Sequence, residues 1–349
     1  MSEILRTSLL KYPGGKTREL KNLLPFFPSD SDRFIDPFVG GGSVWIGSNY
    51  SKNAINDFSK DLINLYNHST DKELLSLLND FDEDLENLVF NSETLNKLKE
   101  TDDLDTMNNI VNNFASNIDF KFSNIKNQFG AEYPKYIKRK INYLNKKGIK
   151  SKEDTIDLLQ TSLNASYYNA VRFLYNTVSD SELIQTSLYL FIREFCYSSM
   201  FRFGKNGFFN VPYGGKSYNN KRFQNHIDFY TSEFFNKKKE ITDIYNLDFQ
   251  EFLEKIEPNN NDFIFLDPPY DSDFSTYDNN SFDKSEQERL ANYIKSLNSK
   301  WLLVIKDTDL IRSLYPEDKF NYFDYKKRYA VNFMNRNKQK VNHLVITNF

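Results

Sequence analysis

The segment from Arg33 to Asp57 constrains this chain more than any other. RFIDPF (33–38) reads as a short apolar strand, VGGGS (39–43) as a glycine-rich turn, Val44–Tyr50 as a helical start, and NAIND (53–57) as a second strand. That order makes the two strands parallel neighbours, so the expected fold is a doubly wound α/β sheet with its ligand at the strand carboxyl ends. Glycines between strand and helix let backbone approach a nucleotide-like ligand. The acid that would hold ribose hydroxyls belongs about 20 residues further on. Asp57 stands there, seventeen residues after Gly40. Trp45 replaces the third glycine of G-x-G-x-x-G, yet on these grounds alone a dinucleotide site stays open. Tyr12-Pro13-Gly14-Gly15-Lys16-Thr17 resembles the end of a phosphate loop, but Leu10 occupies the position where that loop needs its first glycine. A second ligand-binding loop, with Lys16 available for a carboxylate, fits better.

The α/β texture breaks near residue 68. Leu74, Leu77, Leu78, Phe81, Leu85 and Leu88 recur at helical spacing, and helical patterns continue through 153–175 and 181–200. MFRFGKNGFFNVPYGG (200–215) reads as a hairpin, with alternating aromatics on either side of a Gly-Lys-Asn-Gly turn. Strands then return at ITDIYNLDF (241–249), DFIFLDPPY (262–270), WLLVIKD (301–307), RYAVNF (328–333) and VNHLVITNF (341–349). The expected organisation is a core in two pieces, 1–67 and 226–349, split by a mostly helical insertion over 68–225 that ends in the hairpin 201–215.

Composition narrows the function classes. With 39% hydrophobic and 27% charged residues the chain is expected to fold, and no apolar run nears the ~18–20 residues that span a bilayer. The N-terminus lacks a signal-peptide pattern, so a cytoplasmic protein without membrane contact is expected. One cysteine, Cys196, and three histidines exclude a disulfide framework and a multi-thiolate zinc site, so no metal is expected. Net charge is −3, but basic residues cluster at 135–152, at 237–239, and at 326–328 with 336–340. Each run by itself is most simply a solvated helix face. Three of them interleaved with Tyr and Phe raise nucleic acid as a partner.

Asp267-Pro268-Pro269-Tyr270 carries the chemistry. Two prolines after a buried strand fix the backbone and remove amide donors. A carboxylate, a rigid carbonyl and an aromatic face remain. The Asp267 carboxylate and the Pro268 carbonyl can accept both hydrogens of an exocyclic amine while Tyr270 stacks on the ring bearing it. Drawing those hydrogens towards two acceptors favours a pyramidal nitrogen and aims its lone pair at an electrophile.

Taken together, LKYPGGK (10–16), FIDPFVGGGSVW (34–45), INDFSKDLINLYN (55–67), FNVPYGG (209–215), and DPPY with TYDNNSF (276–282) resemble, in this order, the motifs of the Dam-type DNA adenine-N6 methyltransferases. The resemblance implies a Rossmann-like S-adenosylmethionine-dependent core carrying an inserted target-recognition domain. It implies methyl transfer from S-adenosyl-L-methionine to adenine N6 in double-stranded DNA, with the base flipped out of the duplex. By position, Tyr12, Lys16, Phe38, Gly40, Gly42 and Asp57 would bind cofactor. Asp36 would lie near the methionine amine, Asp248 at the cofactor's adenine, and Asp267 beside the cofactor as well as the substrate. Asp267, Pro268, Pro269 and Tyr270 would hold the flipped adenine. Lys11, Arg202, Lys205, Asn206, Asn210, Pro212 and Tyr277 would meet the DNA, with Lys138 and Arg139 on phosphates. A restriction endonuclease encoded nearby is a further partner it allows, in a prokaryotic or phage-encoded setting.

Two positions depart from the pattern. Asn206 stands where relatives reading GATC often carry Arg. Arg matches guanine and Asn matches adenine, which argues against GATC as the target. Lys306 replaces the usual Ser-Asn before Asp307-Thr308, and the residues give no account of it. Two other readings compete. One is a methyltransferase acting on cytosine N4, an RNA base or a protein amide; the other is a cofactor-free DNA-binding protein, against which every cofactor motif keeps its acid or aromatic residue. A zinc deaminase fails for want of paired cysteines.

Overall fold

The computed structural model describes residues 8–12, 14–122, 125–148, 151–177, 181–269, 276–277, 280–327 and 341–349. The chain divides into two compact units, one of residues 7–66 with 233–349 and one centred on 67–232. Among the described residues no helix is long and apolar enough to cross a membrane.

The first unit is built on β1 (Arg33–Asp36), β2 (Lys52–Asn56), β3 (Thr242–Tyr245), β4 (Asp262–Leu266), the short antiparallel pair β5 (Thr276–Tyr277) and β6 (Asn280–Ser281), β7 (Lys300–Lys306), β8 (Asn321–Lys327) and β9 (Val341–Thr347). Seven of these form one sheet in the order β3-β2-β1-β4-β7-β9-β8. β9 runs antiparallel to both its neighbours and the other pairings are parallel. Parallel strands covered on both faces need continuous apolar runs, and every residue of DFIFL in β4 is buried. The register of β1 on β4 begins at Arg33 opposite Asp262, where the guanidinium grips the buried carboxylate at 3.1 and 2.6 Å. One sheet face packs Ile35, Ile264, Leu266 and Leu303 against Phe252, Leu253, Leu290 and Ile294 from two helices, Phe249–Ile256 and Lys284–Lys295. Strand order reverses between β1 and β4, with β2 and β3 on one side and β7, β9 and β8 on the other. The crevice beyond the carboxyl ends of β1 and β4 is therefore the topological switch point.

The second unit is helical, with long helices at Lys72–Asn87, Ile125–Lys147 and Lys152–Thr177. Asp84 is buried inside it, accepting from the Phe122 amide at 3.2 Å and the Tyr167 hydroxyl at 2.6 Å.

Three expectations need amendment. The hairpin 201–215 closes as expected around Gly204–Gly207, with the Gly204 N–H donating to the Phe208 carbonyl at 2.8 Å and the Asn210 N–H to the Arg202 carbonyl at 3.1 Å. Its pairing is short, however: Phe203 bridges Phe209, and Tyr213 bridges Cys196 outside the hairpin. The side chain of Asn176, on the helix Lys152–Thr177, satisfies both backbone groups of Phe209 at 2.9 and 3.1 Å. Tyr168 and Arg172 of that helix hold the Val211 carbonyl at 2.8 and 3.1 Å. The helix thus binds the outward-facing backbone edge of the second hairpin strand. Secondly, the basic run 237–239 is not one solvated face. Lys238 is 6% exposed and donates to the Ser48 carbonyl, the Ser48 hydroxyl and Asn53 Oδ1 at 2.9–3.3 Å. Burial pushes its ammonium down to about 8. Thirdly, a strand not anticipated, β8, pairs with β9. The expected strand 328–333 and most of the last basic run lie outside the described residues.

Candidate active site

The switch-point crevice is a cavity of about 630 Å³. Its floor is the turn after β1. Gly42 has φ of +75°, a left-handed conformation, and a Cβ there would run into the Tyr66 hydroxyl; a Cβ on Gly41 would lie 2.9 Å from Tyr12 Cβ. The turn can thus pack against Tyr12 and Tyr66 only as glycine. Gly40 and Gly41 line the cavity, whereas Gly42 lies behind the wall as the N-cap of the helix Ser43–Gly47.

Around this turn the cavity gathers Tyr12, Lys16, Asp36, Phe38, Asp57, Asp248, Asp267, Pro268 and Pro269. Asp57 follows β2, and its two oxygens accept from the amides of Gly40 and Ser59, each at 3.0 Å. Asp36 ends β1, is 1% exposed, and accepts from the Phe38 amide at 3.1 Å. Burial holds its carboxyl well above the usual carboxylate range, and the charges of Asp267 and Asp57 push the same way. Lys16 is 2% exposed and ion-paired with Asp267, with the Gly14 carbonyl 3.2 Å from its ammonium. Its charge therefore faces the Asp-Pro-Pro corner.

Asp248 caps the helix Phe249–Ile256 by accepting from the Gln250 amide at 2.9 Å. Arg289 grips both its oxygens at 2.7 Å and holds its carboxyl below the usual carboxylate range. The same guanidinium lies 4.1 Å from the ring centre of Phe249, and Phe249, Phe38 and Phe282 pack as an aromatic wall with centroids 5.6–5.9 Å apart. A further buried side chain, Gln287, donates through Nε2 to the Pro269 carbonyl at 3.0 Å. Sequence reading missed Phe249, Gln287 and Arg289. The two polar ones sit on the amphipathic helix Lys284–Lys295, where no short motif marks them. Phe58, 60% exposed at the rim, was also missed, although it directly follows Asp57.

Tyr270 lies outside the described residues, and for Tyr277 only the backbone, in β5, is described. Lys11 is exposed beside Tyr12.

The other residues singled out belong to the helical unit. Arg202, Lys205, Asn206, Asn210 and Pro212 are all exposed on the hairpin. Arg202 Nε donates to Asn210 Oδ1 at 2.8 Å, and Asn206 Oδ1 accepts from the Phe208 amide at 3.2 Å, so Asn206 also shapes its own turn. Lys138 and Arg139 are exposed on the helix Ile125–Lys147.

Comparison with known proteins adds a family match. Residues 12–331 match the family described as D12 class N6 adenine-specific DNA methyltransferase. The chain is 29% identical over 347 residues to Type II methyltransferase M.CviBI of Paramecium bursaria Chlorella virus NC1A, covering 98% of this chain and 99% of that one. It is 26% identical over 332 residues to the Retron Ec67 DNA adenine methylase of Escherichia coli, covering 93% and 86%. To the DNA adenine methylase of Haemophilus influenzae it is 23% identical over 340 residues, covering 95% and 90%.

Proposed function

Because the chain belongs to the D12 class of N6 adenine-specific DNA methyltransferases, we propose that the switch-point cavity is where S-adenosyl-L-methionine and a flipped adenine meet. The class fixes the reaction as adenine N6 methylation of DNA. The cofactor, when bound, supplies an electrophilic methyl group. The cavity suits it: about 630 Å³, a glycine turn, a carboxylate beside that turn in Asp57, and an aromatic wall. Asp57 binds ribose hydroxyls, and Asp36 sits near the methionine amine. Asp248 and Phe249 take the adenine end, while Tyr12, Phe38 and Gly40 shape the walls and Gly42 turns the chain into the helix Ser43–Gly47. Lys16 is assigned to the methionyl carboxylate, and its ion pair with Asp267 lets it orient that side chain too.

Asp267 and the Pro268 carbonyl accept the two hydrogens of the substrate amine, and Tyr270 stacks on its ring. Asp267 acts as an acceptor rather than as a proton-abstracting base, since the methylated, cationic amine is far more acidic than the neutral one. The helical segment 68–225 serves target recognition. Hairpin residues Arg202, Lys205, Asn206, Asn210 and Pro212 face bases, together with Lys11 and Tyr277, and Lys138 and Arg139 meet phosphates. Phosphate contacts offset part of the few kcal/mol needed to extrude the base. Relatives named Type II methyltransferases support a cognate endonuclease, and relatives from bacteria, a phage and a virus support a cytoplasmic setting in a prokaryotic or infected cell.

The observation carrying this reading is that Lys16, Asp36, Asp57 and Asp267, scattered over 252 positions, line one cavity at the reversal of the sheet. Asp267→Asn tests it by single-turnover methylation. Losing the charge that faces the developing cation should slow transfer by ~10²–10³, while DNA affinity, dominated by phosphates, changes little. Transfer at the parent rate would refute the role given to the corner.

A further inference from the structure

Consecutive prolines leave the Asp267-Pro268-Pro269 corner with a particular mechanical problem. Neither Pro268 nor Pro269 has an amide hydrogen, so these two residues cannot be fastened through backbone donors of their own. Groups outside the corner have to hold it. At Asp267 the outside group is Lys16, which grips the side-chain carboxylate. At Pro269 it is Gln287, whose Nε2 donates to the carbonyl at 3.0 Å from a fully buried position on the helix Lys284–Lys295. An amide facing a carbonyl must present its NH₂ group, so the orientation of Gln287 is set by chemistry. Its Oε1 is buried with no hydrogen-bond partner among the described residues. Burying an unpaired amide oxygen opposes folding. A side chain kept for packing alone would more economically be Leu or Met, as its neighbours Leu290, Ala291 and Ile294 show.

We infer that Gln287 is a positioning residue for methyl transfer. Its hydrogen bond fixes the Pro269 carbonyl and, through the rigid Pro-Pro link, the seat of the Pro268 carbonyl. The inference rests on the reading of the corner as the amine-holding element. An error of about 1 Å in such an element can cost ~10² in rate even when its cause lies away from the chemistry.

Two substitutions test it. Gln287→Met fills the same space without a donor. Single-turnover methylation should slow by ~10–10², with S-adenosylhomocysteine affinity by calorimetry and DNA affinity within about twofold, and with the melting temperature little changed, because removing the unpaired buried Oε1 offsets leaving the Pro269 carbonyl without its donor. Gln287→Glu places a carboxylate against a carbonyl at neutral pH, but a donor once protonated, and burial favours the protonated form. Its rate should therefore rise, relative to the parent, as pH is lowered from 8 to 6. A purely structural Gln287 predicts the reverse for the first variant, a lost melting temperature with an intact rate, and no pH signature for the second. Gln287→Met at the parent rate, or a Glu variant whose rate follows the parent's pH profile, overturns the inference. Asp267→Asn, measured alongside, separates the two levels. If it too transfers at the parent rate, the reading of the corner fails; if it is slow while Gln287→Met is not, only the role of Gln287 fails.

Discussion

Asp57 does two jobs with one carboxylate. It accepts from Gly40 and Ser59 amides, which ties the end of β2 to the glycine turn, and it lines the cavity where ribose hydroxyls are assigned. A hydrogen bond to a charged group contributes ~1.5–3 kcal/mol, so Asp57→Ala should weaken S-adenosylmethionine binding by roughly 10- to 100-fold, read by calorimetry. Binding of NAD in place of S-adenosylmethionine by the parent protein would overturn the assignment. This residue was legible in the sequence because strand, turn, helix and strand have fixed dimensions, so the spacing from Gly40 is a local property of the chain. Arg289 was not. Its partner Asp248 lies 41 residues away in sequence, and only packing of the helix Lys284–Lys295 on the sheet brings the guanidinium over Phe249. The pair also alters what Asp248 can do, since the sequence showed a free carboxylate and the fold gives one gripped through both oxygens.

At the scale of elements, alternating aromatics announced the turn 201–215, which closes through its own backbone bonds, but its outer edge is fastened by Asn176, Tyr168 and Arg172 on a helix. Alternation records which side chains face inward and says nothing about which groups satisfy the backbone. The helix Glu233–Glu240 makes the same point about charge. Its three lysines look alike in sequence, yet Lys238 is the buried one, its ammonium facing three acceptors contributed by Ser48 and Asn53. Lys238→Met should leave those acceptors unpaired and cost about 1–3 kcal/mol of stability at pH 7. The pH dependence has a definite sign. The folded ammonium titrates near 8 and the unfolded one near 10.5, so between these values the unfolded chain holds the extra proton. The Lys238 contribution to stability is therefore flat below about 8 and grows as pH rises from 8 towards 10. Denaturant unfolding of parent and variant at pH 7, 8 and 10 should show the gap between them widening over the upper interval. A constant gap would mean the ammonium is not perturbed.

For the whole molecule, a net charge of −3 predicts no affinity for a polyanion, yet the substrate is DNA. Distribution resolves the conflict. The helix Ile125–Lys147 carries seven basic residues and a single acidic one, while the switch-point cavity, with Asp36, Asp57, Asp248 and Asp267, is acidic and lies wholly in the other unit. Of the basic residues, Lys135 is paired with Glu132 at 3.1 Å, whereas Lys138 and Arg139 are exposed to solvent, Arg139 over the Tyr136 ring. Cofactor binding and phosphate binding should therefore separate on mutation. The double substitution Lys138→Ala, Arg139→Ala should leave S-adenosylhomocysteine affinity within error of the parent and weaken DNA binding at every sequence alike. Each lost phosphate contact removes about 0.9 from the slope of log K against log salt, so the slope should become shallower by nearly 2. Sequence preference on a randomised duplex pool should not move, because phosphates carry no base identity. The single-turnover rate at saturating DNA should stay at the parent value, since neither residue touches the reacting groups. An unaltered salt slope would show that this helix face is merely solvated. A changed sequence preference would instead place these two side chains at base edges.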